Sequence, residues 1–190
     1  VPGLERIRSF ISIDVEDEGV LRGLTGVQSA LVKTGADLKL VKPENIHLTL
    51  RFLGEIPAVL VDEIFKIMQS AVRPPFEMEV KGLGAFPSVT RPRVIWAGVS
   101  DGAEAVVEIH RKIEAGLKRL GFRPEDKRFT AHITIARVKS RRNVERLLRV
   151  FQEYRNAVFG RMLVDCIRLK KSVLTPRGPI YTTLREVQLA

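Results

Sequence analysis

His47-Leu48-Thr49-Leu50-Arg51-Phe52-Leu53-Gly54 begins with an alternation of polar and apolar side chains, the period of a half-buried β-strand. In a strand, His47 and Thr49 share one face while Leu48 and Leu50 fill the other. The pattern returns once, as His132-Ile133-Thr134-Ile135-Ala136-Arg137. The chain holds only three histidines and nine threonines in 190 residues, so two histidines in one His-x-Thr-x frame is no accident of composition. Each copy aims an imidazole and a hydroxyl the same way from a strand anchored by apolar residues. The prediction is a pair of acid–base groups, each with a helper, on rigid elements.

The elements around the motifs repeat as well. A strand over Ile7–Val15, a helix from about Glu18 stopped by Gly35, a short extended run Leu38–Val41 and the motif strand Ile46–Leu53 come first. Gly54 is expected to turn the chain, and Pro57 to open a helix through Leu60, Ile64, Phe65, Met68 and Val72 before a strand at Phe76–Val80. The second half gives a strand at Val94–Val99, a helix over about Ala103–Leu120 and the second motif strand, Ala131–Val138. Asn143 is expected to cap a further helix, and strands follow at Met162–Leu169 and Tyr181–Leu189, joined through Thr175-Pro176-Arg177-Gly178-Pro179. The 85-residue offset between the motifs sets Phe10 opposite Ile95 and Phe76–Val80 opposite Arg161–Asp165, an internal repeat of about 7–80 and 93–169. The expectation is an α+β fold: one two-lobed domain over 1–190, with two antiparallel sheets related by a pseudo-two-fold axis, helices outside and a central groove between. Exchange of strands between the lobes is expected, and a single ferredoxin-like sheet is the alternative.

Composition narrows the function classes. The apolar fraction of 45% and the charged fraction of 28% are those of an ordinary globular domain, and no apolar run is long enough to span a membrane. The N-terminus lacks the apolar core of a secretory signal, which predicts a cytoplasmic protein, and with Val1 first the natural start is expected upstream. A single cysteine, Cys166, excludes a disulfide framework and is expected to be a small buried hydrophobe. The net charge of +10 attracts polyanions, of which nucleic acid is the commonest in a cell. No oligomerisation signal is visible, so a monomer is expected.

The motifs, together with Gly84-Ala85-Phe86-Pro87, Pro92-Arg93-Val94-Ile95-Trp96 and Gly178-Pro179-Ile180-Tyr181, resemble the two-histidine phosphoesterases, and within them the RNA 2′,3′-cyclic phosphodiesterases, also called 2′-5′ RNA ligases. The resemblance implies a bilobed fold with a basic groove and hydrolysis of RNA 2′,3′-cyclic phosphate ends to 2′-phosphomonoesters, with reversible 2′-5′ ligation alongside. It also implies metal-independent chemistry with no cofactor. The partner would be RNA with such ends, tRNA fragments among the candidates. Carried over, His47 is the proton donor and His132 the acceptor.

The residues themselves suit that chemistry. Two imidazoles, one charged and one neutral, can activate a water and protonate a leaving alkoxide near neutral pH. Thr49 and Thr134 can hold the non-bridging phosphate oxygens. Arg51 is expected on the face of His47 and Thr49, as a phosphate ligand. Arg137 lies five residues after His132 and reaches the groove only through a strand end or bulge; the resemblance nonetheless implies an arginine on phosphate there. Phe10, the one large aromatic on a strand face with Ser12 and Asp14, is read equally as a base-stacking surface or as core. Phe86, Trp96 and Tyr181 read as packing residues, and His110 as a core-edge histidine. No third ligand accompanies the two motif histidines, so no metal site is expected. Two other functions stay open: a nucleotide- or RNA-binding module without turnover, and an exonuclease acting on RNA 3′ ends.

Overall fold

A computed structural model of the protein describes residues 5–190. In chain order the elements are β1 (Arg6–Asp14), α1 (Glu18–Val32), β2 (Leu38–Leu40), β3 (His47–Pro57), α2 (Val61–Ser70), β4 (Phe76–Pro87), β5 (Pro92–Val99), α3 (Ala103–Arg119), β6 (His132–Val138), α4 (Val144–Glu153), β7 (Val158–Val164), β8 (Cys166–Thr175) and β9 (Gly178–Gln188). Asp17 caps α1 by accepting the Val20 amide at 2.9 Å. Asn143 holds the corresponding place before α4 but does not cap it: its side chain instead donates to the Gly35 carbonyl at 3.2 Å, tying α4 to the end of α1.

The strands form one antiparallel path, β7-β4-β5-β6-β3-β1-β8-β9, with β2 added on β6. The two lobes are therefore halves of one curled sheet, and they exchange strands: β8, from the second repeat, lies on β1, and β4, from the first, lies on β5. The halves join where Leu48 pairs with Ile133. Those two residues are counterparts at the 85-residue offset, so the pseudo-two-fold axis passes between them. A second pairing of counterparts has Phe76 opposite Val164 and Glu79 opposite Arg161. The expected Met162–Leu169 strand is broken at Asp165, because β7 pairs with β4 while β8 pairs with β1 and β9.

The helices pack on outer faces, α2 and α3 against β9 and β3, α1 against β7 and α4. Inward-facing Ile11, Ile13, Leu48, Leu50, Ile95, Ile133 and Ile135 are buried in one core with Leu24, Ile64, Ile109 and Leu147 from the four helices. Gly54 does not turn the chain; β3 runs through it to Pro57, with a register shift against β1 and a φ of 71° that glycine tolerates. α2 begins later than expected, at Val61. Cys166 is half-buried rather than buried, and burial pushes its thiol up to about 11.

Candidate active site

Local irregularities in β3 and β6 set what the groove contains. Ile11 pairs with Arg51 but Ser12 with Thr49, so Leu50 is an extra residue in β3; likewise Ile95 pairs with Ala136 and Trp96 with Thr134, leaving Ile135 extra in β6. Each bulge sits one residue after its motif threonine and reverses which face the following residues take. The unpaired carbonyls are satisfied from outside the ladder: Leu50 O accepts from His110 Nδ1 at 2.8 Å, and Ile135 O accepts from the Gln28 amide and the Val41 N–H at 2.9 Å each. His110, stacked on Phe129 at 3.9 Å, is thereby placed on the helix side of β3, away from the groove.

The bulges divide the two arginines, and here the strict alternation read from the sequence misplaces one of them. Arg51 is turned away from His47. Only 7% exposed, it pairs with Glu114 and donates to the carbonyls of Phe52 at 2.7 Å and Arg123 at 2.5 Å. Arg137 is brought to the groove side by the bulge at Ile135, and Phe52, its counterpart across the axis, lines the same cavity. Arg51→Ala is expected to cost about 2 kcal/mol of stability with kcat and KM unchanged, whereas Arg137→Ala should raise KM about tenfold with Tm unchanged. Thermal unfolding and steady-state kinetics on the two variants check this contrast.

Pairing of Leu48 with Ile133 sends His47 and Thr49 to the same side as His132 and Thr134, His47 facing the Thr134 end of β6. His47, Thr49, Thr134, Arg137, Arg8, Lys39, Lys42 and Arg177 line a cavity of about 550 Å³, closed on one side by Tyr181 and Pro179. Both histidines are held alike. Nδ1 of His47 lies 2.7 Å from the carbonyl of Asn45, and Nδ1 of His132 lies 2.7 Å from that of Thr130. A carbonyl only accepts, so Nδ1 carries a proton in both rings and Nε2 is the exchangeable nitrogen. Asn45 is itself fixed by donating to the Pro179 carbonyl at 3.1 Å.

The surroundings of the two rings differ. His47 Nε2 meets Thr49 Oγ1 at 2.9 Å, and the ring stacks on Phe10 at 4.8 Å with Tyr181 edge-on at 5.4 Å. Phe10 is 3% exposed, so it offers no open face for a base; it backs the imidazole. Around His132 stand Phe86 at 5.0 Å and Trp96 at 6.2 Å, both edge-on. Trp96 lies across Gly84, its cross-strand partner, where a Cβ would collide with the indole ring. Read from the sequence, Phe86, Trp96 and Tyr181 are packing residues, and Asn45 and Thr130 have no role. Only the shared position two residues before each histidine marks the last two.

Burial holds the His47 pKa below the usual imidazole value. The Asn45 carbonyl and Asp14 pull it up, Lys170 and His132 push it down, and burial prevails. The sign follows: the unfolded chain binds a proton near pH 6.5 that the folded chain does not, so stability falls as pH drops below about 6.5 and levels off beneath the folded pKa. A phosphate in the cavity acts oppositely, since an anion about 4 Å from the imidazolium at an effective dielectric near 20 favours it by about 4 kcal/mol. Proton NMR titration should therefore find His47 below about 6.5 in the free protein and raised by a bound 2′-phosphate. A midpoint at or above that ordinary value without ligand would contradict the burial argument.

A family model described as LigT like Phosphoesterase matches residues 14–96 and 98–181, taking in both motifs. The chain belongs to this family. Among its relatives, the RNA 2′,3′-cyclic phosphodiesterase of Aeropyrum pernix is 41% identical over 167 residues, 88% of this chain and 95% of that protein. The protein of the same name in Archaeoglobus fulgidus is 39% identical over 185 residues, covering 94% and 98%. Of solved structures, TT0787 of Thermus thermophilus superposes with a TM-score of 0.80 at 29% identity, covering 96% of this chain and 98% of that one. LigT of E. coli in complex with 3′-AMP gives a TM-score of 0.77 at 21% identity over 97% and 99%, a likeness of fold. Among the described residues of this LigT-like phosphoesterase, no helix is long and apolar enough to cross a membrane, and no three His, Cys, Asp or Glu side chains cluster as metal ligands.

Proposed function

We infer that this protein is an RNA 2′,3′-cyclic phosphodiesterase that opens the cyclic phosphate to a 2′-phosphomonoester. The observation that carries the reading is the pair of Nδ1-anchored imidazoles, with Thr49 and Thr134, on one side of a strand pair that crosses the pseudo-two-fold axis. Water attacks phosphorus while His132 Nε2 takes its proton; the bond from phosphorus to O3′ breaks, and protonated His47 delivers its proton to that oxygen. The products are a 2′-phosphomonoester and a free 3′-hydroxyl, and solvent exchange returns both rings to their starting forms. Thr49 and Thr134 hold the non-bridging oxygens, and Arg137 adds a charge-assisted hydrogen bond. A 5′-hydroxyl of a second RNA end in place of water gives a 2′-5′ linkage by the same proton transfers, so ligation is a side reaction of one site. The substrates are RNA ends, tRNA fragments among them, and the protein acts as a monomer in the cytoplasm.

His47 as donor meets one physical objection, its lowered pKa, and the bound phosphate answers it by favouring the imidazolium. The decisive experiment incubates a cyclic-phosphate oligonucleotide with the protein in excess chelator, without ATP, and reads the product by phosphorus NMR. A 2′-phosphomonoester is expected. Unchanged cyclic phosphate would refute the activity, and a 3′-phosphomonoester would invert the assignment of the leaving oxygen.

A further inference from the structure

Beside the groove lies a larger trough, about 1030 Å³, lined by Arg91, Arg93, Lys139 and Arg141 together with Pro87 and Val138. It holds none of the paired histidines and threonines, yet it abuts the groove: Pro87 follows Phe86, which touches His132, and Val138 follows Arg137, which lines the groove. The four cations are exposed, and among the described residues none makes a salt bridge or a side-chain hydrogen bond. Elsewhere buried or half-buried cations are neutralised, as Arg51 is by Glu114, Arg73 by Glu108 and Arg168 by Asp14 and Glu186. Glu145 is the one acid on the trough wall.

The duplication supplies an internal control. At the offset relating the motifs, Lys139 and Arg141 have Gly54 and Ile56 as counterparts, and Glu55 stands between them. There Arg6 donates to the Glu55 carbonyl at 2.8 Å, and Lys171 lies 3.9 Å from Glu5. The trough cations Lys139 and Arg141 thus have uncharged counterparts, Gly54 and Ile56, at the His47 end. Unpaired cations beside a phosphate-handling site fit a polyphosphate chain, and the one such chain that the neighbouring site requires continues 5′ of the cyclic phosphate.

We propose that this trough is the track for the RNA strand leading to the cyclic end, so that the enzyme selects oligonucleotides over mono- and dinucleotides and the strand lies in one direction, out past His132 rather than past His47. The proposal rests on the phosphodiesterase reading. Its test is separable from that reading because it can be scored by binding. The variant combines Arg93→Gln, Lys139→Gln and Arg141→Gln, all at exposed positions; a charge-matched control combines Lys118→Gln, Arg119→Gln and Lys127→Gln. Fluorescence anisotropy with a 12-nucleotide RNA ending in a 2′-phosphate should show about 10–100-fold weaker binding for the first variant near 0.1 M salt. The slope of log K against log salt should shrink by about 2, since each lost contact to single-stranded RNA removes about 0.7. The control should stay within a few-fold of the unaltered protein, and the KM for a cyclic dinucleotide should be unchanged in both. Equal loss for the 12-mer and the dinucleotide, equal loss in the control, or unaltered 12-mer binding would each overturn the track. Failure of the unaltered protein to open any cyclic phosphate would count against the activity while leaving the binding result to judge the trough.

Discussion

His132→Ala and His47→Ala are each expected to lower kcat on a cyclic-phosphate RNA by about 10²–10⁴-fold, the range of one lost proton transfer. Neither ring is fully buried, so folding should survive: His47, half-buried, lines the cavity, and His132, also half-buried, makes one hydrogen bond, to the Thr130 carbonyl. His47→Ala removes the ring that stacks on Phe10, so a drop of a few degrees in Tm is expected there and less at His132. The double variant should be scarcely slower than either single one, because in the proposed mechanism the two rings serve one displacement and their effects do not add. KM should change little, since in the proposed mechanism the threonines and Arg137, not the imidazoles, hold the phosphate. Steady-state kinetics with calorimetry on the same samples checks all four statements. Undiminished turnover in either single variant would remove that histidine from the reaction.

How much of this was legible in the sequence depends on how far the interaction lies along the chain. The His-x-Thr-x alternation survives intact because a strand's period is local, and His47 and Thr49 do share a face, within 2.9 Å of each other. The doubled topology was legible for a related reason: the offset between the motifs carries one motif strand to the other, and at the join those counterparts pair directly. Arg51 shows the limit. Its orientation depends on an inserted residue at Leu50, and nothing in Leu-Thr-Leu-Arg-Phe announces a bulge; the signal lies 60 residues away in His110, which satisfies the freed carbonyl. At Arg137 the need for a bulge could be stated but not located, and it falls at Ile135. The offset itself slips by one outside the motif strands. Leu48 and Ile133 differ by 85, but their partners Ile13 and Ala97 differ by 84, so Ile11 rather than Phe10 corresponds to Ile95. Phe10 is therefore not a core position by symmetry but the ring beneath His47.

Asp14→Ala should be the most damaging single change to stability, at about 3–5 kcal/mol, or roughly 10 °C in Tm for a chain of this size. Asp14 is the cross-strand neighbour of His47 and accepts three hydrogen bonds, from Ser12 Oγ at 2.8 Å, Lys170 Nζ at 2.6 Å and Arg168 Nη1 at 3.0 Å. Arg168 keeps Glu16 and Glu186 when Asp14 is lost, but Lys170, 9% exposed, has no other ion-pair partner among the described residues. The damage is thus an orphaned ammonium in the sheet interior, more than the loss of a bond. Burial alone would raise the Asp14 pKa, but its bonds to Lys170 and Ser12 and the charges beside it hold it below the usual carboxylate value. The stability this provides is full above about pH 3.9 and is lost as pH falls through that lowered pKa. Two controls separate charge from packing. Adding Lys170→Met to Asp14→Ala removes the orphaned cation and should recover most of the lost stability; Asp14→Asn, which keeps the shape, should remain destabilised. The same change reaches the chemistry, because Asp14 pulls the His47 pKa up while Lys170 pushes it down. With Asp14 gone, the NMR midpoint of His47 should fall further, and with Lys170 also gone it should return toward the starting value. An Asp14→Ala protein with unaltered Tm and an unmoved His47 midpoint would show that this buried ion cluster supports neither the fold nor the His47 imidazolium.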